Sequence, residues 1–215
     1  MPHFSFAARA CAVVTLVGGL AVATGSMVGA APAPTSIPGD PHSTVVIERA
    51  GAALFSHDVF SWSRTPDSFS AYVGARHAAA DAVATELGID AAALRDAWAR
   101  ADLPHQKAVL AALTQLDRPY VRNTSDPSVG FDCSGLTAFA WGRAGVTITR
   151  QSSAQIEAAR PIEQSAAHAG DLAQYPGHVM MYLGVGDAIV HAANHSTDIA
   201  IGLLSRDVRF GDPAG

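Results

Sequence analysis

Past residue 133 the apolar pattern of the chain changes character, and that change limits the fold more than any other feature. Before it, alanine-rich runs carry helical periodicity. Asp67 and Ser68 predict a cap for a helix reaching Leu87, with Gly88 as its stop. Asp90 predicts a second cap, for 91–98, ahead of Pro104; a further helix is expected over 107–113. After Cys133 comes one more apolar helical run, 136–141, stopped near Gly142 or Gly145. Then short strand-like runs follow closely at 171–175, 178–184, 188–192 and, more weakly, 200–204. Helices first and close strands after predict an α+β domain built on a short antiparallel sheet.

The amino-terminal end has the order of an export signal. His3 and Arg9 mark a polar start, an apolar run spans 10–22, and Val28-Gly29-Ala30 offers small residues for cleavage after Ala30. The apolar run falls short of the roughly 20 residues a membrane span needs. Residues 1–30 are therefore expected to be a signal peptide, leaving no stable span after cleavage and a secreted or cell-wall-associated product. Cys11 opens the run, where a lipid-accepting cysteine would close it. Residues 31–43 hold Pro32, Pro34, Pro38 and Pro41, which predict a stiff, solvated linker. A helical appendage is expected over 44–102 and the main domain over 103–215. A net charge of −5 with no basic run disfavours nucleic acid as a partner, and nothing in the sequence sets an oligomeric state.

Removing the signal would leave Cys133 as the single cysteine. Exported cysteines normally pair, so a lone thiol asks for another explanation. At the head of a helix the dipole favours its thiolate, the attacking species. A histidine at the head of a strand, His178, supplies a base for it. His191, thirteen residues on and across a Gly184-to-Asp187 turn, would stand beside His178 in a hairpin and hold its tautomer. Other readings of these residues stand beside this one. A lone cysteine also serves as a small buried hydrophobe, and a strand histidine as a satisfied core residue. Cys133, His178, His191 and His195 are also ligand types that zinc takes, although their spacing matches no compact structural-zinc pattern. His57, His77 and His105 are scattered without partners at ligand spacing, and surface or capping roles are expected for them.

From about Leu116 to Leu204 the chain resembles the NlpC-type cysteine peptidases of bacterial cell walls, which have a papain-like α+β fold. Carrying the resemblance, in order, are Pro119-Tyr120, Phe131 through Leu136, and Gly145-Val146 with Arg150, Ser152 and Gln155. Gly170-Asp171-Leu172, His178-Val179 with Tyr182-Leu183-Gly184, and Ile189 through Ala192 complete the series. The resemblance implies Cys133 as nucleophile, His178 as base and His191 as its orienter, with Tyr120, Asp132 and Ser134 binding polar groups of the substrate. It implies peptidoglycan stem peptides as substrate, cut between D-glutamate and the diamino acid, with no metal and no organic cofactor. The chain departs from the family at Val121 through Thr124, a longer polar loop, at Thr149, and at Met180, where a glycine is usual. Met180 is expected near the cleft. If it narrows the cleft, the alternative is a cell-wall binding module; an amidase or acyltransferase using the same triad is the other.

Overall fold

A computed structural model describes residues 41–215 apart from His195, without the side chains of Pro41 and His42. The expected signal peptide, Cys11 and linker residues 31–40 lie outside the described residues. The linker's last three residues, 41–43, are helical: α1 spans Pro41–Ser63. Proline suits the first helical position because its missing N–H would have no intrahelical acceptor there. On the solvent side of α1, Phe55, Val59 and Trp62 are exposed.

Helix α2, Pro66–Leu87, starts two residues before the sequence suggests. Its cap is Thr65, whose hydroxyl oxygen accepts the Ser68 N–H, and it ends on Gly88 at φ 66°. Helix α3, Ala91–Arg100, is capped by Asp90, which accepts from the N–H groups of Ala92 and Ala93. Helix α4 is Leu103–Leu113, α5 is Cys133–Arg143 and α6 is Ser152–Ala158. A small hairpin, β1 (Ser125–Asp126) with β2 (Gly130–Phe131), precedes α5.

The main sheet has six antiparallel strands. They are β3 (Arg160–Ile162), β4 (Leu172–Tyr175), β5 (His178–Tyr182), β6 (Ala188–Asn194), β7 (Thr197–Leu203) and β8 (Arg209–Asp212). The order across the sheet is β3-β8-β4-β5-β6-β7. β4 through β7 fall where the sequence places strands. β3 and β8 carry too few apolar residues to announce themselves, and β3 contains Pro161, which an edge strand tolerates.

Helices α1 to α3 share one apolar core with α4, α5 and the sheet, from Val46 through Leu110 and Trp141 to Ile201. A second, smaller cluster of Ala173, Met180, Tyr182, Ile189 and Phe210 lies on the alternate residues of the strands. The helical segment is fastened at a defined point: buried Trp98 donates its indole N–H to the Leu183 carbonyl at 2.9 Å. Leu183 follows the end of β5 opposite to His178. Five strand residues separate those ends by roughly 17 Å, so this anchor lies at the far end of the strand from the histidine. Truncating Trp98 to Ala removes a filled core position and leaves a buried carbonyl unpaired. It is expected to cost about 3–5 kcal/mol in a urea titration.

His105, expected at the surface or in a cap, is instead buried at 6% exposure. Its Nδ1 lies 2.7 Å from Asp102, the cap of α4. Its Nε2 lies 3.1 Å from Asp171, ahead of β4, and 3.3 Å from Asp212 of β8. Asp171 lies 66 residues away in sequence and Asp212 farther still, so spacing along the chain could not disclose these two. Burial alone would lower the His105 pKa, but the bonds to Asp171 and Asp102 outweigh it and raise it to about 9. Both ring nitrogens then donate, and the imidazolium clamps α4 to the sheet. Because the folded value lies above the unfolded one near 6.5, the stabilisation is complete below pH 6.5 and fades as pH rises through 9. Stability measured by urea between pH 6 and pH 10 should fall by up to roughly 3 kcal/mol. That fall should vanish in His105→Gln.

Candidate active site

Cys133 is the first residue of α5 and is half-buried. What holds it there is the residue before it. Asp132 caps the helix, its Oδ1 accepting the Gly135 N–H at 2.7 Å, and its Oδ2 accepts the Asn123 N–H at 2.7 Å. The same Oδ2 is paired with Arg150 at 2.8 Å. Burial would raise the Asp132 pKa, but Arg150 and the two backbone N–H groups hold it below the usual carboxylate range. Arg150 also donates to Ser134 Oγ at 2.8 Å and to the Thr124 carbonyl at 3.1 Å. The loop after Tyr120 is thus drawn against the first turn of α5. A side chain at position 135 would run into the Thr124 carbonyl, so only glycine fits there. Arg150, which the sequence shows only as part of a spaced motif, proves to be the cation that joins loop and helix. Nothing in its spacing says that it reaches back to Asp132.

Ser134 and Asp132 are buried and, with Asn123, Arg150 and Ser152, line a polar cleft of about 410 Å³. Tyr120 bridges to Phe131 of β2, two residues before the thiol. Burial raises its pKa, and Cys133 and Asp132 nearby add to the effect. The four amide N–H groups at the start of a helix lack intrahelical acceptors, and the Cys133 N–H is among them.

The two histidines come together from the sheet. Pro176 and Gly177, the latter at φ 87°, form a tight turn that pairs Tyr175 with His178. Across the next hairpin, Met181 pairs with Val190, and continuing that register sets His191 one diagonal step from His178. His178 Nε2 and His191 Nδ1 are 3.0 Å apart, so the expected side-by-side placement is met. His178 is buried and His191 half-buried. Burial pushes His178 down to about 4, with the Arg206 guanidinium adding to the effect. Burial and the His178 neighbour push His191 to about 4 as well. Both rings are neutral at pH 7. With Nε2 of His178 engaged, Nδ1 is the nitrogen left to take a proton. Helix α5 packs against β5 and β6. Among the described residues no hydrogen bond joins Cys133 to either ring.

The model of the NlpC/P60 family matches residues 117–208, a stretch that holds the Asp132–Arg150 tie, Cys133 and both histidines. Over these residues the chain is similar to the NlpC/P60 family. A probable endopeptidase of Corynebacterium glutamicum is 40% identical over 115 residues, covering 52% of this chain and 54% of that one. The peptidoglycan endopeptidase RipB of Mycobacterium tuberculosis is 46% identical over 66 residues, 29% of this chain and 27% of that one. The solved structure of RipB aligns at a TM-score of 0.47 and 22% identity, over 82% of this chain and 91% of that one. The chain spans about half the length of the Corynebacterium relative, at 54%.

Two features where this chain departs from the NlpC/P60 pattern have structural consequences. Met180, expected near the cleft, is 3% exposed and packs among Ala173, Tyr182, Ile189 and Phe210. Its side chain is spent on the interior of the sheet and does not narrow an open surface. The polar loop after Tyr120 is ordered by the β1–β2 hairpin and by Asp132. Arg150→Met would leave the Asp132 carboxylate without its cation and release Thr124. Because Arg150 is part-exposed at 39%, the expected loss is only about 1–3 kcal/mol, read as a lowered melting temperature.

Proposed function

We propose that the protein is an exported cysteine endopeptidase that hydrolyses an amide bond in peptidoglycan stem peptides, between D-glutamate and the diamino acid. The observation that carries the reading is the 3.0 Å contact between His178 and His191 in a domain whose α5 begins at Cys133. Cys133 gives its proton to Nδ1 of His178 and attacks the carbonyl carbon. Nε2–H of His178 donates to His191, which steadies the ring while it carries charge. The Cys133 N–H, pointing out of the helix start, stabilises the oxyanion. His178 then protonates the leaving amine, and water, deprotonated by the same ring, releases the thioester. The neutral resting state of His178 suits a proton acceptor, and the thiolate formed beside it stabilises the resulting imidazolium.

Asp132 and Ser134, which border the polar cleft, and Tyr120 receive the polar groups of the stem on the acyl side. Asp132 acts with its charge already matched by Arg150, so its contribution is to shape the cleft and hold Ser134 and Cys133 in place. Residues 1–30 act as the signal peptide, and the product works outside the cell or at the wall. Helices α1 to α3 back the catalytic domain. No cofactor enters the reaction.

Mass spectrometry of purified muropeptides, incubated with residues 31–215 or with the Cys133→Ala variant, tests this function. Cleavage at one fixed stem bond by the wild type and none by the variant is the expected outcome. Intact muropeptides retained by both proteins would overturn it in favour of a binding module, and a different broken bond in favour of an amidase.

A further inference from the structure

One cation near the base takes no part in that reaction. Arg206 lies in the connection between β7 and β8, and its guanidinium carbon sits 4.4 Å over the ring of Tyr175. The Tyr175 ring is 5.2 Å from that of His178. Two arginines of the same sheet are engaged with partners. Arg209 gives its donors to Gln174 at 2.9 and 3.3 Å, and Arg160 pairs with Asp212. Arg206 makes no hydrogen bond or ion pair among the described residues, so its five N–H donors are open. It is exposed. Asp187 and Asp207 border the same open cavity of about 780 Å³, yet neither pairs with it.

The position of this cation relates to the direction of the chemistry. His178 delivers a proton to the leaving amine, so the residue that leaves must lie against His178. Arg206 stands one ring beyond, on the sheet side. The cleft bordered by Asp132, Ser134 and Arg150 belongs to the helix side. Stacking on Tyr175 holds the planar guanidinium in one orientation, which lowers the entropy lost when it grips a bidentate anion. An unpaired cation here also opposes protonation of His178. A substrate anion placed on it would relieve that opposition as the base takes up its proton.

We propose that Arg206 is a specificity-determining residue whose guanidinium binds a free carboxylate on the departing diamino acid. The preferred substrate class is then a stem peptide whose diamino acid keeps an unblocked distal acid. This rests on the cleavage reading above.

The test uses the full chain with two peptides: L-alanyl-γ-D-glutamyl-diaminopimelate with its distal carboxylate free, and the same peptide with that group as a carboxamide. Wild type should favour the acid by about tenfold to a hundredfold in kcat/KM, mostly through KM. In Arg206→Gln that ratio should fall toward one, and Arg206→Lys should restore part of it. Equal losses on both peptides would show a structural role through Tyr175 and overturn the proposal, as would a wild type without preference. If wild type cleaves neither peptide, the cleavage reading fails, and calorimetric binding to Cys133→Ala decides the remainder. A preference for the acid that Arg206→Gln removes would support carboxylate recognition; equal affinities would overturn it.

Discussion

The two oxygens of one carboxylate organise the start of α5. Asp132 caps α5 with one oxygen and holds Asn123 and Arg150 with the other. A cap alone would fix where the helix begins, and a salt bridge alone would fix little on a surface. Here both act through a group only 7% exposed, so losing any partner leaves charge or donors buried. The thiol one residue later inherits its position from that arrangement. Gly135 follows from it too, since the Thr124 carbonyl pulled in by Arg150 occupies the space a side chain would need.

His105 and the His178–His191 pair fall into two electrostatic classes, although all three rings are substantially buried. His105 is pressed between Asp102, Asp171 and Asp212 and rises to about 9. His178 and His191 face each other with no carboxylate within ion-pair distance among the described residues, and both fall to about 4. Burial pushes each of them the same way, and the neighbours decide the outcome. A ring charged at neutral pH makes a good clamp and a poor base. A neutral ring paired with another neutral ring keeps a lone pair for a proton.

Much of this could be read in the sequence, where the signal was local. The glycine stop of α2, the aspartate cap of α3 and the four strands β4 to β7 each depend on residues adjacent to the element they define. The His178–His191 pairing was legible because it needs only a hairpin with a turn of known length. What escaped depends on partners distant in the chain. The start of α1 is decided by packing against α2 and α4, strong enough to claim the proline-bearing end of a predicted linker. β3 and β8 are strands because each offers a ladder to the other, and β8 offers one to β4. The His105 cluster and the Tyr175–Arg206 stack join elements that no spacing rule connects.

The helical segment acquires its meaning from β5. That strand carries His178 at its first residue and is followed by Leu183, whose carbonyl receives the Trp98 indole. At Gly184 a φ of 94° favours glycine, and an added Cβ would come within 3.1 Å of the Cβ atoms of Ala97 and Ala169. A strand pinned at its far end and paired on both sides by β4 and β6 has little freedom to slide. Sliding by one residue would turn His178 to the other face of the sheet and break its contact with His191. Helices distant from the histidine pair therefore bear on it by register: they fix which face of the sheet His178 presents.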